Sequence, residues 1–304
     1  MNEAVIEVRN LHKQYGGYTA VNDISFTVRR GEIFGIIGPN GAGKTSIVET
    51  LIGLRHADRG LVRVLGFNPI TQRLALSQRI GIQLQEAQLF ERLKVWEVLD
   101  LFAILYQTTI SWEPLIMQWG LGEKRNTFVG KLSGGQKQRL FIALALLHNP
   151  EIVFLDELTT GLDPQARRST WEMIQAIREQ GKTVVLVTHF MDEAELLCDR
   201  IAIVDDGRIM ALDTPQALIE SLPNESRVLF TPPAGFKSEW LADLAGVTHM
   251  EMLNGKWVVY GRGSFLSQIV LSLSQHGITL SDLQTEQATL EDVFISLTGH
   301  KIRA

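Results

Sequence analysis

The sequence predicts an α/β fold in which a parallel core sheet is accompanied by an antiparallel β layer and by helices. Short apolar runs are typical of parallel strands that are buried on both faces. Four such runs lie at Ile33–Ile37, Ile152–Leu155, Thr183–Val187 and Ile201–Val204. Residues 4–30 instead alternate apolar and polar side chains in short stretches. That alternation predicts antiparallel strands beside the core sheet.

A glycine-rich loop follows the first core strand and fits the spacing G-x-x-x-x-G-K-[ST]. The candidate phosphate-binding residues are Gly38, Pro39, Asn40, Gly41, Ala42, Gly43, Lys44, Thr45 and Ser46. Glycines let the backbone approach phosphate closely, and the N-terminus of the following helix favours negative charge. The pattern therefore predicts a nucleotide site in which Lys44 faces the β- and γ-phosphates and the Thr45 hydroxyl ligates Mg²⁺.

A pair of acids follows the second core strand. Asp156 and Glu157 come directly after Ile152–Leu155. Because ligands bind at the carboxyl ends of parallel strands, both side chains are expected at the nucleotide site. We expect Asp156 to hold the magnesium ion, and we expect Glu157 to orient and deprotonate the attacking water.

A second glycine loop, Leu132-Ser133-Gly134-Gly135-Gln136, precedes a predicted helix at Gln136–Leu147. Ser133 is a preferred residue for the N-cap of that helix. One nucleotide needs only one phosphate loop. The second loop therefore predicts that two copies of the chain close around shared ATP.

The string Leu132–Gln136, which lies between the first glycine loop and the acid pair, resembles the signature motif of ATP-binding-cassette (ABC) ATPases. The resemblance covers at least residues 4–220 and implies a P-loop NTPase cassette. It also implies that a helical subdomain occupies about residues 86–141, with a docking patch for a membrane partner near residues 86–95. One departure is Leu158, where many relatives have proline, but this change removes no catalytic group.

The resemblance also assigns roles to single residues. Tyr15 matches the aromatic residue that stacks on adenine, and Gln85 matches the glutamine that contacts magnesium and senses the membrane partner. Gln83 is the alternative to Gln85, but the local spacing favours Gln85. His189 matches the switch histidine at the γ-phosphate, and Asp163 matches the loop that crosses the dimer interface. The nucleotide-contacting set then also includes Ser133, Gly134, Gly135 and Gln136, and the catalytic set is Glu157, His189, Lys44 and Gln85.

Composition narrows the class of protein. The chain has 304 residues, which predicts two domains, and its net charge of −5 gives no electrostatic case for nucleic-acid binding. Cys198 is the single cysteine, so the sequence predicts no intrachain disulfide and no cysteine zinc cluster. The longest apolar run, Leu140–Leu147, is far shorter than the roughly 20 residues that a membrane helix needs. The N-terminus is acidic and does not resemble a signal peptide.

A second domain is predicted at residues 226–304, after an ATPase domain at residues 1–222. Its pattern gives the order βαββαβ, which favours a small ferredoxin-like α+β domain. The predicted elements are strand Arg227–Phe230, helix Ser238–Leu244, strand Val247–Leu253, strand Lys256–Tyr260, helix Phe265–His276, strand Ile278–Gln284 and a final helix Leu290–Leu297. The turn Asn254-Gly255 joins the central strands. Residues 289–299 resemble the tail of the ATPase subunits of two-component drug and lipid exporters.

The leading hypothesis is therefore the ATP-binding and ATP-hydrolysing subunit of an ABC exporter, with ATP and Mg²⁺ as cofactors. It would dimerise head to tail, as a homodimer in preference to a heterodimer, and drive a separate transmembrane permease from the cytoplasmic face of the membrane. An importer ATPase with a regulatory C-terminal domain is the first alternative. The second alternative is a soluble ABC ATPase that acts on ribosomes or DNA. The transported substance is not encoded in this chain.

Overall fold

The computed structural model describes residues 3–84, 89–222, 226–232, 236–253, 255–261, 264–278, 282–286 and 288–299. The chain divides into two compact units, of which the first ends at Pro215 and the second begins at Gln216. The boundary that the sequence predicted, near residue 222, lies a few residues after this division at residues 215 and 216.

The first unit contains the predicted α/β elements. Its strands are β1 (Ala4–Tyr15), β2 (Tyr18–Arg29), β3 (Ile33–Ile37), β4 (Arg59–Val64), β5 (Ile80–Gln83), β6 (Ile152–Asp156), β7 (Thr183–Thr188), β8 (Arg200–Asp205) and β9 (Arg208–Asp213). Its helices are α1 (Lys44–Leu51), α2 (Arg73–Ser77), α3 (Val95–Ala103), α4 (Trp112–Gln118), α5 (Gly134–Leu146), α6 (Pro164–Glu179) and α7 (Met191–Leu197). The division between the units falls at the start of α8 (Pro215–Glu220).

The core sheet has the strand order β5-β6-β7-β3-β8-β9. Neighbours from β5 to β8 pair in parallel, and β9 pairs antiparallel to β8. Every residue of β3, β6 and β7 is buried, as expected for strands covered on both faces. All four runs predicted as core strands lie in this sheet, whereas β5 and β9 were not predicted. Because β6, β7 and β3 are adjacent and parallel, their carboxyl ends share one edge of the sheet.

The antiparallel layer has the order β2-β1-β4, and the alternation in residues 4–30 is confirmed as strand structure. In β2 the side chains of Ile24, Phe26 and Val28 are buried, while those of Ser25 and Thr27 are exposed. This period of two is what places one face of the strand in the core. The turn between β1 and β2 lies near the first glycine loop, since Tyr15 and Tyr18 line the same cleft as residues of that loop.

Helices occupy the described part of the predicted insert. They are α3, α4 and the start of α5, with 3-10 turns at Gly122–Lys124 and Val129–Lys131 between them. Residues 86–88, where the docking patch was predicted to begin, lie outside the described residues. Within the described ranges, no helix combines the length and the apolar character that a bilayer crossing requires.

The second unit contains β10 (Ser226–Phe230), α9 (Glu239–Ala242), β11 (Val247–Leu253), β12 (Lys256–Gly261), α10 (Phe265–Gln275), β13 (Gln284–Glu286) and α11 (Leu290–Thr298). Its antiparallel sheet has the order β11-β12-β10-β13. Buried side chains from the sheet and helices, including Phe230, Val259 and Ile269, form a core of this unit. The ferredoxin-like classification stays a prediction.

One predicted strand of this unit, Ile278–Gln284, lies partly outside the described residues, which omit 279–281. Within the described residues, pairing with β10 begins at Gln284. The backbone amide of Ile278 instead donates to the carbonyl of Leu273 at 2.9 Å and closes the end of α10. Asn254 of the predicted turn lies outside the described residues.

Candidate functional site

The first glycine loop runs from the end of β3 into α1, as predicted. Gly43 is the residue before the helix and has a φ of 100°, a left-handed conformation that favours glycine. A Cβ atom at Gly43 would lie 2.2 Å from the carbonyl oxygen of Ala20, and one at Gly38 would lie 2.0 Å from that of Val204. The loop therefore packs too closely on neighbouring backbone to accept side chains at these two positions.

The Lys44 side chain folds back over this loop. Its Nζ atom donates to the carbonyl oxygens of Gly38 at 2.8 Å and Pro39 at 3.0 Å. The residue is only 5% exposed, and burial lowers the pKa of the Lys44 ammonium group, against the opposing effect of Glu157 and Asp156. The loop thus holds one positive charge at its centre, at the position where phosphate oxygens bind in this motif.

A cleft of about 450 Å³ opens beside the loop. Its lining residues are Tyr15, Tyr18, Ala20, Asn40, Gly41, Gly43, Lys44, Thr45, Ser46 and Glu157. The Tyr18 hydroxyl donates to the carbonyl oxygen of Gly41 at 3.2 Å, and the hydroxyls of Tyr15 and Ser46 are 3.5 Å apart. The cleft is therefore lined both by two tyrosines and by residues of the phosphate loop, a combination that can contact the base and the phosphates of a nucleotide.

Sequence reasoning missed Tyr18 and Ala20. Tyr18 lies opposite Tyr15 in the register of β1 and β2, across the turn Gly16-Gly17. A second tyrosine three positions after the first, across two glycines, was the available signal. Ala20 contributes through its backbone, which a residue-type pattern does not reveal.

Three of the predicted catalytic residues converge at the carboxyl edge of the core sheet. The Oε1 atom of Glu157 lies 3.8 Å from Nζ of Lys44 and 3.4 Å from Nδ1 of His189. Glu157 has a φ of 49°, and its amide donates to the carbonyl oxygen of Val187 at 2.9 Å. This left-handed conformation, uncommon for a residue with a side chain, turns the chain directly after β6. Such conformations cluster at functional sites.

Asp156 lies at the end of β6 and is 4% exposed. Burial, followed by the neighbouring negative charge of Glu157, raises the pKa of the Asp156 carboxyl to about 6. The nearby charge of Lys44 acts in the opposite direction but does not cancel this effect. An added cation would favour the ionised carboxylate, because it would supply the opposite charge that this buried group lacks.

The second glycine loop begins α5 as predicted. The Ser133 hydroxyl accepts from the amide of Gln136 at 3.3 Å, and the Gln136 side chain accepts from the amide of Ser133 at 3.1 Å. This reciprocal pair is a capping box. Asp163 caps α6 in a similar way, since its carboxylate accepts from the amide of Ala166 at 2.8 Å. A Cβ atom built on Gly135 would lie 3.6 Å from that of Ala166, so the starts of α5 and α6 are neighbours.

The structure does not bring all predicted site residues together. Ser133, Gly134, Gly135, Gln136 and Asp163 are not among the lining residues of the cleft at the first loop. Gln85 lies outside the described residues. The roles assigned to single residues therefore remain predictions, although the cleft and the edge of the sheet place most of the first-loop and acidic residues in one region.

Comparison with known proteins agrees with this geometry. The sequence pattern of the family described as "ABC transporter" matches residues 21–160. This range includes the first glycine loop, the second glycine loop and the acid pair.

Relatives match over the whole chain. The Nod factor export ATP-binding protein I of Burkholderia orbicola (strain AU 1054) is 37% identical over 311 residues, which covers 100% of both chains. The linearmycin resistance ATP-binding protein LnrL of Bacillus subtilis (strain 168) is 32% identical, covering 98% of this chain and 100% of the relative. Both similarities extend through the second unit.

Solved structures match most of the chain. An ATP-binding subunit of an ABC transporter is 29% identical with a TM-score of 0.65, covering 71% of this chain and 92% of the other. The dimeric structure of MJ0796, a bacterial ABC transporter cassette, is 26% identical with a TM-score of 0.61, covering 69% and 98%.

Proposed function

This chain belongs to the ABC transporter family, and from that premise we propose that it is the ATP-binding and ATP-hydrolysing subunit of an ABC exporter. Similarity over the full length to an ATP-binding protein named for Nod factor export supports export over import. The same full-length similarity disfavours a soluble ATPase that acts on ribosomes or DNA.

The observation that carries the ATPase proposal is the position of the Glu157 carboxylate. It lies 3.8 Å from the Lys44 ammonium group at the phosphate loop and 3.4 Å from the His189 imidazole. A residue that deprotonates the attacking water must lie near the γ-phosphate, close enough for its side chain to contact that water. Glu157 is therefore close both to the lysine of the phosphate loop and to the imidazole that we propose at the γ-phosphate.

Each of these residues has a separate role in the proposed hydrolysis of ATP. The loop amides and Lys44 hold the β- and γ-phosphates, and Glu157 orients the attacking water and takes its proton. His189 donates a hydrogen bond toward the γ-phosphate and fixes the orientation of the attacked group. Little covalent chemistry is needed from the protein, because phosphoryl transfer depends mainly on positioning and charge stabilisation. Tyr15 holds the base by stacking.

The donor set also fits Mg²⁺. This ion prefers one or two carboxylates, hydroxyl oxygens and substrate phosphates as ligands. The buried Asp156, with its raised pKa, and the Thr45 hydroxyl in the cleft supply the first two kinds of ligand. Gln85 is the third proposed ligand. When bound, the metal neutralises developing charge on the phosphate oxygens.

The second glycine loop supports a dimer. Ser133, Gly134, Gly135 and Gln136 lie apart from the cleft of their own chain, so we infer that they complete the cleft of a second ATPase subunit. A dimeric structure of a similar cassette is known. We propose a homodimer, in which Asp163 lies at the contact between copies and both sites are competent.

The membrane partner is proposed to be a separate permease. ATP binding would bring the two subunits together, and hydrolysis would separate them, so the nucleotide shifts the permease between two states. The subunit would lie at the cytoplasmic face of the membrane, held there by the permease. We propose that residues 226–304 form an accessory domain on an ATPase domain at residues 1–222.

The test is a pull-down with tagged Glu157→Gln from detergent-solubilised membranes in Mg-ATP. This variant should hold ATP without hydrolysing it and so keep the complex assembled. A multi-span membrane protein in stoichiometric amount is the expected partner, and the same experiment without nucleotide is the control. Recovery with ribosomes or DNA, or with no partner, would contradict the exporter proposal.

A further inference from the structure

Behind His189, the start of α7 packs against the first turns of α6 through a stack of flat groups. The guanidinium carbon of Arg167 lies 5.0 Å from the ring centroid of Trp171 and 4.5 Å from that of Phe190. Arg167 and Trp171 are four residues apart on α6, which places them on one face of the helix. Phe190 is the residue before α7. The guanidinium group is thus held between one ring from each segment.

Both ends of this stack are anchored. Arg167 forms an ion pair with Asp192 on α7. The Trp171 indole donates to Glu193 at 2.9 Å, and Glu193 is fully buried. A planar guanidinium loses less freedom in such a stack than a lysine ammonium would, and it presents a flat face to the ring. The Phe190 ring therefore packs against a guanidinium group that belongs to α6.

Phe190 in turn contacts the histidine at the site. The ring centroids of His189 and Phe190 are 4.1 Å apart with an interplanar angle of 38°. The Phe190 amide donates to the Thr188 hydroxyl at 3.0 Å, which fixes the backbone on both sides of His189. The side chain of His189 is 11% exposed and faces Glu157 at 3.4 Å. One contact of the imidazole is therefore with the catalytic carboxylate, and another is with the ring that Arg167 holds.

We propose that Arg167 is a positioning residue for His189 and acts through the ring of Phe190. This inference rests on the proposed ATPase function and names a residue of that site that no sequence motif singled out. A displacement of about 1 Å in a catalytic group costs up to about 100-fold in rate, so a lost stack should be visible in turnover. Arg167 does not line the nucleotide cleft, so ATP binding should change little.

The first experiment compares steady-state ATP hydrolysis by Arg167→Gln and wild type. We expect kcat to fall about tenfold and KM for ATP to stay within about twofold, because positioning affects the transition state more than ground-state binding. Arg167→Lys keeps the charge that pairs with Asp192 but lacks the flat face, and it should not restore kcat. The matched control is Arg168→Gln, since Arg168 is the next residue on α6 and is exposed. It should retain wild-type kinetics.

The second experiment separates positioning from general packing. Single-turnover rates are measured for His189→Ala and for the double variant His189→Ala/Arg167→Gln. If Arg167 acts only through His189, the second substitution should change the rate by less than about twofold. A further tenfold loss in the double variant would overturn the proposal, as would an unchanged kcat in Arg167→Gln. Equal loss in Arg167→Lys and Arg167→Gln supports the stack.

Folding is controlled by thermal melting of each variant. If Arg167→Gln does not fold, Phe190→Leu replaces it, because it removes the ring while leaving the ion pair of Arg167 and Asp192. Phe190→Leu should show the same loss of kcat. Phe190→Tyr keeps the ring and should have the kcat of wild type. Full kcat in folded Phe190→Leu would also overturn the proposal. Failure of the proposed function is distinguishable, because wild-type protein would then hydrolyse no ATP in the same assay.

Discussion

The Nδ1 atom of His189 lies 3.4 Å from the Oε1 atom of Glu157, although each residue follows a different strand. The two strands, β6 and β7, are parallel neighbours in the core sheet. Their carboxyl ends therefore place both side chains beside Lys44, which follows β3, the next strand in the sheet. From this relationship and its surroundings we make four predictions.

Replacement of Glu157 by glutamine should lower ATP hydrolysis by about 10²–10⁴-fold, since the amide cannot take the proton of the attacking water. ATP affinity should be retained, because the phosphate loop is unchanged. Phosphate release and ATP binding measured on one preparation test this. The exposed Glu179 at the end of α6 offers a matched control, and Glu179→Gln should keep wild-type turnover. Wild-type turnover in Glu157→Gln would exclude this residue as the base.

Replacement of Asp156 by asparagine should stabilise the protein free of nucleotide and metal at pH 8. The pKa of this carboxyl is raised from 3.8 to about 6, so the folded protein holds its proton more tightly than the unfolded chain does. Ionisation therefore costs the folded state about 3 kcal/mol above pH 6 and nothing below the unfolded pKa.

Thermal melts of Asp156→Asn and wild type in EDTA at pH 4.5, 6 and 8 test this prediction. The difference in Tm should grow between pH 4.5 and 6 and then stay constant. Asp243→Asn, at an exposed position, should show no such dependence. With Mg-ATP present, wild type should have the higher Tm, because the asparagine is a poorer ligand for the metal than the aspartate. A pH-independent difference would contradict the raised pKa.

Replacement of Gly43 by alanine should disrupt the phosphate loop. The new Cβ would lie 2.2 Å from the Ala20 carbonyl oxygen, and backbone must shift to relieve that contact. Gly181→Ala is the matched control, because Gly181 also has a positive φ, 79°, but no atom lies within 4 Å of its Cβ position. We expect Gly181→Ala to cost about 1 kcal/mol in unfolding free energy. Gly43→Ala should cost more and also abolish ATP binding, as denaturant unfolding and calorimetry would show.

Replacement of Tyr15 by leucine should weaken ATP binding by about 5- to 150-fold, which corresponds to about 1–3 kcal/mol of lost stacking on the base. Tyr15→Phe keeps the ring and should bind ATP within about twofold of wild type. Isothermal titration calorimetry with ATP measures the dissociation constant of each variant and so distinguishes them. If Tyr15→Leu binds normally while Tyr18→Leu does not, the stacking residue is Tyr18, which lines the same cleft.

Much of the fold could be predicted because its signals are local. The apolar runs gave four core strands, and the loop from Gly38 to Thr45 lies between a strand and a helix as its spacing indicated. The N-cap residue Ser133 was likewise predicted from a short pattern, and its hydroxyl accepts from the amide of Gln136. The bounds of the strand expected at Ile278–Gln284 were less accurate: the amide of Ile278 closes the end of α10, and the described strand β13 begins at Gln284.

The sequence by itself determined which chemical groups are available: a phosphate loop with its lysine after one strand, two acids at the end of a second strand and a histidine after a third. Only the tertiary structure decided that β6, β7 and β3 are neighbours, although they are far apart in the chain, and therefore that Glu157 meets Lys44 and His189. It also decided the burial that raises the pKa of Asp156 and the stack of Arg167 on Phe190. Spacing along a chain fixes local geometry, but distances between segments and their solvent exposure are set by packing of the whole unit.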